Sequence, residues 1–442
     1  MTEHNGDDAT LYTRLCALFA TDPLIDEIGL VFGIDAADVT VDNAFVLEAH
    51  KLGVAFAAGP TLFKQATTHF YALNPLLIAL AKHETQSDGI EVWRPQLLDS
   101  TRAILLINAD FYTAWNTRKE FVRRGWLDAL DELRFCDLVF TLHPKSIDTW
   151  AYRRWLAARV VVSFQQPQDD DLSGLEAFDA FYVQQIEVCE RLAEQKARNY
   201  HAWSYRHWVV SQCAHDDETR LTRELERMRI WCESHITDHS GWNHRQHVVK
   251  LMLHVSKAKH HSVNDVRRLV VAEYELLSKI MALYPTHEAL WCHRRFVVQL
   301  VLKEVLRSDK LDIVALMQAL HGWDEKVKSF GAASVPTGES TGELLATGWR
   351  CNGESIATES SESLVLAIVH EMELAWSRGN CFARRFALWC LERLRVISKA
   401  SGSSQSSLTE ALESLGDTLR ERLCTDDSLL EDLWTSQSQH SH

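Results

Sequence analysis

The sequence predicts an all-α chain: a right-handed superhelical solenoid of helical hairpins, with five repeats and a degenerate terminal hairpin. Three observations carry that prediction. A tryptophan followed three residues later by an arginine occurs five times, as Trp115/Arg118, Trp150/Arg153, Trp203/Arg206, Trp242/Arg245 and Trp291/Arg294. Each copy continues with two apolar residues six and seven positions past the tryptophan: Phe121/Val122, Leu156/Ala157, Val209/Val210, Val248/Val249 and Val297/Val298. These positions share one helical stripe. Before each tryptophan lies a short polar turn, as in LHPKSIDTW or KARNYHAW, and before the turn a second amphipathic run, clearest in DALDELRFCDLVF and VRRLVVAEYELLSKIMALY. Each unit therefore reads helix, turn, helix. Such a hairpin cannot cover its own apolar face, so successive copies must stack.

Taken in order, residues 1–94 contain apolar runs, AFVLEAHKLGVAF and NPLLIALAKH, expected to form helices that cap the first repeat. Residues 95–305 hold the five repeats, with Trp-to-Trp steps of 35, 53, 39 and 49 residues. The two long steps contain QQPQDDDLSG at 165–174 and SKAKHHSVND at 256–265, which read as insertions. Residues 306–330 are expected to continue the helices, and 331–363, rich in Gly, Ser, Thr and Glu, to form a flexible loop. Helical periodicity returns at 364–398 around a Gly-Asn turn, the degenerate hairpin, and 399–442 is a polar, Ser-rich tail with one amphipathic run, LTEALESLGDTLRERL. Tetratricopeptide repeats share the period but place Leu-Gly after the Trp, so they match less well.

Composition narrows the function. A formal charge of −15 over 442 residues repels a phosphate backbone and argues against general nucleic-acid binding. No run is long and apolar enough for a membrane span, and the N-terminus has neither the positive start nor the apolar core of a signal peptide. The expected location is the cytoplasm. Ten cysteines without a CxxC fit reduced thiols there, most of them small buried hydrophobes.

A catalytic device is seldom copied five times, whereas a solenoid joint must be, so the Trp/Arg pairs read as architecture. The tryptophan supplies buried area, and the arginine is expected to lay its guanidinium on a ring while its donors reach carbonyls at helix ends. His239, His244 and His247 lie close in sequence, but no carboxylate or thiolate completes a zinc set. HEMEL at 370 resembles a zincin start with Leu374 in place of the second histidine, and GESTGELLATG lacks the GK of a phosphate loop. No metal site is expected on this chain.

The stretches HPKSIDTWAYRRW, ARNYHAWSYRHW and DHSGWNHRQH resemble the repeats of protein prenyltransferase alpha subunits. The first copy, NADFYTAWNTRKEF, and the long C-terminal region look closest to the branch of alpha subunit repeat-containing proteins. The resemblance spans about residues 95–300, where order, number and turn residues agree. It implies a crescent of hairpins wrapped around a beta subunit that carries the prenyl pocket and zinc, with geranylgeranyl diphosphate and a cysteine-containing protein as substrates. For this branch it implies the Rab-type geranylgeranyltransferase beta chain as partner.

By the same resemblance, the family's catalytic lysine falls on Lys145 and its substrate-proximal tyrosine and histidine on Tyr200 and His201. A lysine at a helix N-terminus suits the chemistry, because expelling diphosphate needs cations and donors to hold the developing charge. Arg198 and Asn199, in the same turn as Tyr200, are candidate diphosphate or substrate contacts, Asn199 alternatively a cap. Two positions depart from the farnesyltransferase pattern. Ile147 stands where an aromatic hydroxyl is expected, and Arg198 where a lysine is. The alternative reading is a helical-repeat scaffold that binds partner proteins without catalysis.

Overall fold

The computed structural model describes residues 9–82, 89–165, 172–305, 318–325, 368–369, 371–373, 375–376, 381–400 and 406–426. The predicted 331–363 loop lies outside them, as do parts of 306–330, 364–398 and 399–442. The chain divides into two compact units, Met1–Ala214 and His215–His442.

In the first unit, α1 (Leu11–Thr21) starts from a capping box in which Thr10 and Thr13 bond each other's backbone amides. The expected helical cap then gives way to a sheet. AFVLEAHKLGVAF does not form a helix: it folds as β2 (Phe45–Glu48) and β3 (Lys51–Ala55), with β1 (Glu27–Val31) pairing β3 in parallel and β2 pairing it antiparallel. The hairpin turns on Ala49 and His50, both at positive φ, which is the backbone of a two-residue type I′ turn without its usual Asn-Gly. Thr141 Oγ1 both accepts from Ile28 N (3.1 Å) and donates to Ile28 O (3.2 Å), tying the sheet edge to the second repeat. Residues 74–81 of the NPLLIALAKH run do lie in a helix, α2 (Gly59–Ala81).

The hairpins follow the predicted rhythm. Repeat one pairs α3 (Ile90–Ile107) with α4 (Tyr112–Arg123), repeat two α5 (Ala129–Leu142) with α6 (Ile147–Gln165), and repeat three α7 (Leu172–Gln195) with α8 (Tyr200–Cys213). The second unit holds α9 (Glu218–Ser234) with α10 (His239–Ala258) and α11 (Val263–Leu283) with α12 (Glu288–Leu300). Further on come helical residues at 318–325 and the described ones among 368–376, then α13 (Cys381–Ala400) and α14 (Ser406–Asp426), the latter containing the amphipathic run of the tail. The two supposed insertions are partly longer helices: α10 ends and α11 begins within 256–265, and α7 begins at Leu172. Within each unit successive hairpins stack, and no helix among the described residues is long and apolar enough to cross a membrane.

All five tryptophans are buried, and so are all five arginines and the ten apolar residues that follow them. Four indoles donate to the carbonyl six residues earlier, in their own turn: Trp115 to Ala109 (2.7 Å), Trp150 to Pro144 (3.0 Å), Trp242 to Ile236 (2.9 Å) and Trp291 to Pro285 (2.8 Å). The arginines reach the preceding helix of their own hairpin, but inside it rather than at its end. Arg153, Arg245 and Arg294 each donate to the carbonyl twenty residues back, on Leu133, Leu225 and Tyr274.

Burying a guanidinium demands a counter-charge or full hydrogen bonding. For three of the arginines it comes from the next helical layer. Arg118 forms a fork with Glu132, Arg245 with Glu273, and Arg294 Nε bonds Glu371. The residue just before the next repeat's arginine converges on the same acid: Tyr152 on Glu132 (2.7 Å) and His293 on Glu273 (3.3 Å). His244 likewise bonds Glu224 through Nε2 at 2.8 Å. That bond gives His244 a packing role and takes it out of the histidine trio considered as a metal set. Glu371, from the HEMEL stretch, serves the Arg294 joint.

Arg206 draws on a charge within its own hairpin. Its guanidinium does lie near its own Trp203, 5.6 Å from the ring centre. Its Nη2, however, donates to the carboxylate of Glu190 (2.9 Å), sixteen residues back on α7 of the same hairpin. Arg206 is 1% exposed, and an ionised acceptor offsets the water that its buried guanidinium has lost. Glu190 can supply that charge because it stays partly exposed at the hairpin's rim.

Candidate functional site

The candidate residues sit where hairpin turns meet in the first unit. Three successive turns are laced by one repeated device. The carbonyl that receives the indole also accepts from the N-cap residue of the next hairpin's second helix. Ala109 O accepts from Ser146 Oγ (3.2 Å), and Pro144 O accepts from Asn199 Nδ2 (2.8 Å). The same cap side chains accept from their own helices, Ser146 from Thr149 N (3.1 Å) and Asn199 from Ala202 N (3.3 Å). Capping and stacking are thus performed by one residue per turn. Asp110 adds a further tie by accepting from Ser146 Oγ (2.8 Å) and Asp148 N (3.2 Å). Burial, and then the Asp110 charge, push the Asp148 carboxyl above its ordinary range, against the pull of Lys119.

This geometry corrects one candidate. Asn199 is 1% exposed and engaged at both ends of its amide, so it locks two turns together rather than meeting an anion in solution. The others are outside. Lys145 is exposed, and its Nζ donates to Ala197 O at 2.9 Å, a second bridge between the turns of repeats two and three. Arg198 is exposed at φ +59, a left-handed conformation that a non-glycine residue adopts at a cost and that makes the sharp turn into α8. Tyr200 is 66% exposed as the first residue of α8, and His201 behind it is half-buried. Ile147 is the first residue of α6, and its apolar side chain stands in solvent.

Lys145, Arg198, Tyr200 and His201 are therefore collected on two adjoining turns held by the Lys145 and Asn199 bridges. Two cations, a phenol and an imidazole at the N-terminal end of a helix can receive an anion or donate to one. The first repeat contributes to the same row of positions: Tyr112, three before Trp115, is exposed and lies 5.8 Å from Lys119 Nζ. Sequence reading passed over Tyr112 although its place, three before the tryptophan, is that of Ile147 and Tyr200.

A sequence model described as "Protein prenyltransferase alpha subunit repeat" matches residues 129–160, 182–213, 221–252 and 270–301, the hairpins of Trp150, Trp203, Trp242 and Trp291. Residues of this chain are 32% identical over 311 positions to "Protein prenyltransferase alpha subunit repeat-containing protein 1" of Danio rerio, covering 64% of this chain and 70% of that one. The chain belongs to the protein prenyltransferase alpha subunit repeat family. The Homo sapiens protein of the same name is 30% identical over 337 residues, covering 68% of this chain and 80% of its own length. "Geranylgeranyl transferase type-2 subunit alpha" of Sus scrofa is more distant, 27% identical over 211 residues that make up 46% of this chain and 33% of that protein. The family model leaves the Trp115 hairpin unmatched. Its bonds to Ala109 O and Glu132 nevertheless repeat those of the matched copies, so it is a member of the array.

Proposed function

We propose that this chain is the alpha subunit of a heterodimeric protein geranylgeranyltransferase, active only with a beta subunit of the Rab type, in the cytoplasm. The observation that carries the reading is the pair of adjoining turns on which Lys145, Tyr200 and His201 all reach or approach solvent. Its other support is the similarity to a geranylgeranyl transferase type-2 subunit alpha. In this reading the beta subunit holds the zinc and the prenyl diphosphate. The alpha chain's part is electrostatic. The Lys145 ammonium leaves Ala197 O for the departing diphosphate and holds the charge that grows as the bond to the prenyl carbon breaks, while a protein cysteine sulfur forms the new bond. Tyr200 and His201 donate to the same anion or position the substrate, and Arg198 adds a second cation at the mouth of the site.

Lys145→Ala is expected to leave folding and beta-subunit binding intact, because an exposed turn lysine with one hydrogen bond carries little packing energy. Single-turnover transfer of a labelled prenyl group by the reconstituted heterodimer should slow by about 10- to 1000-fold, the order for one preorganised electrostatic contact. Equal rates for wild type and Lys145→Ala would remove the catalytic role.

Two observations favour a second reading, a scaffold that keeps the repeats and binds proteins without catalysis. Lys145 already has a structural use in bridging two turns, and Ile147 presents an apolar side chain to solvent beside it. The readings separate on purification from cells. A stoichiometric prenyltransferase beta subunit supports the enzyme; other partners in its place support the scaffold.

A further inference from the structure

The second unit contains a groove that the transferase reading does not use. It runs between α10, α12, the π-helical turn Val301–Val305 that follows α12, and α13; it encloses a cavity of about 640 Å³, and its lining among the described residues includes Lys250, Lys257, Arg295, Lys303 and Arg393 and no carboxylate. In a chain of net charge −15 this local excess is unusual. Elsewhere in the unit, Arg229 pairs with Glu226 and Glu233 within one turn of its helix, and Arg395 pairs with Glu392 one turn away and with Glu413 on α14. Lys250, Arg295, Lys303 and Arg393 have no ion-pair partner among the described residues. Arg295 is half-buried, and its Nε is shielded from solvent with nothing to bond. Two of the cations instead rest near rings that line the groove, Lys250 by Phe296 (5.3 Å) and Arg393 by Trp389 (5.4 Å).

We infer that this groove binds an acidic peptide segment of a partner protein, with carboxylates spaced along the chain and an apolar side chain between them. The cation spacing carries the choice of ligand. Lys250 and Lys257 are seven residues apart on α10, about 10 Å of helix rise, and Arg295 on α12 and Lys303 in the π-helical turn after it lie eight residues apart. One phosphate group cannot span either pair. A peptide in the polyproline II conformation advances about 9 Å per turn of three residues and returns its side chains to the same face, so carboxylates at every third position meet both ends of the groove. The wall between the cations is apolar, formed by Leu253, Phe296 and Leu300, and suits a leucine or an aromatic side chain from the peptide.

The test uses the full chain and fluorescein-labelled twelve-residue peptides followed by fluorescence anisotropy. The probe places glutamates three residues apart with a leucine between them. The controls are the same peptide with glutamine for glutamate, an isomer with all glutamates adjacent, and inorganic tripolyphosphate as competitor. The expected result is that the spaced peptide binds, the glutamine peptide does not, and the clustered isomer binds several-fold more weakly. Lys250→Glu combined with Lys303→Glu should weaken binding at least about tenfold, while Lys64→Glu in the first unit should not. Both groove lysines are exposed, so the double variant should melt as the wild type does; if it does not, Lys250→Gln with Lys303→Gln must still weaken binding several-fold. Equal binding by wild type and groove variants overturns the inference. So does preference for the clustered isomer, or complete displacement by micromolar tripolyphosphate, which would mark a compact phosphate site.

Discussion

Two joints built on the same template differ by one atom type. In the second unit, Arg245 meets the carboxylate of Glu273 through Nε and Nη2, with His293 on the same acid. In the first unit, the equivalent acceptor for Arg153 is the amide of Gln185, which takes Arg153 Nη2 (2.9 Å) and Tyr205 Oη (2.9 Å) on one oxygen. The amide joint leaves Arg153 Nε and Gln185 Nε2 buried without partners, whereas in the carboxylate joint Arg245 Nε is bonded and the buried orphan is His293 Nδ1. The missing charge is recovered from Asp137, sixteen residues before Arg153, at the partly exposed rim of the same hairpin (3.0 Å). Arg206 uses the same rim position in the next hairpin, where Glu190 stands sixteen residues before it. Topology therefore fixes where the guanidinium goes. The neutralising charge has two admissible sources, the next layer or the hairpin's own rim.

The largest effect expected from breaking this comparison is Glu273→Ala. It strands Arg245 as a buried unpaired charge and removes the acceptor of His293, at a cost of about 3–5 kcal/mol in urea unfolding. Glu273→Gln converts the carboxylate joint into a copy of the amide joint but without a rim aspartate, and should cost about 2–3 kcal/mol. A loss below about 0.5 kcal/mol would show that charge in the joint is immaterial. The reverse change, Gln185→Glu, offers Arg153 Nε its missing acceptor and should gain about 1 kcal/mol.

Titration sharpens the contrast. His293 is held below the ordinary histidine range by burial, and then by Arg245 and Arg294, against the pull of Glu273. The unfolded chain therefore takes up that proton first as pH falls below about 6.5, and stability declines from pH 7 towards 5. Burial would raise the Glu273 carboxyl, but the His293 bond and Arg245 outweigh it and hold it below its usual range. Its contribution is present above the ordinary glutamate pKa of about 4.3 and is lost as pH drops through the depressed folded value. His293→Gln should make the melting temperature flatter between pH 7 and 5 while keeping the acid-side loss. An unchanged slope would assign the decline to other histidines. Tyr205, the counterpart of His293, has its phenol pushed up by burial and adds no such dependence in this window.

Much of the candidate site was readable because it is local. Lys145, five before Trp150, and Tyr200, three before Trp203, are fixed by their distance from the tryptophan of their own hairpin; Trp150 bonds its own turn, so numbering along the chain translates into position in space. Asn199 was legible as a cap and misread as a ligand. Its Nδ2 bond crosses 55 residues to Pro144 O, and no local pattern reports such a bond.

The sequence by itself determined the hairpins, their number and the burial of the Trp/Arg stripe, because helical periodicity and turn chemistry act within a few residues. Only the tertiary structure decided three other matters. AFVLEAHKLGVAF became strands because β3 takes β1, distant in sequence, on one edge and β2 on the other, and because the turn at Ala49 and His50 has a backbone that those residue types do not announce. Glu132, Gln185, Glu273 and Glu371 look like ordinary polar residues of amphipathic helices until stacking sets them against an arginine 14, 32, 28 and 77 residues away. The cations of the second unit's groove come from three α-helices and one π-helical turn spread over residues 250–393, and they gather only when those elements pack. Charge interacts through space, and only folding sets that distance.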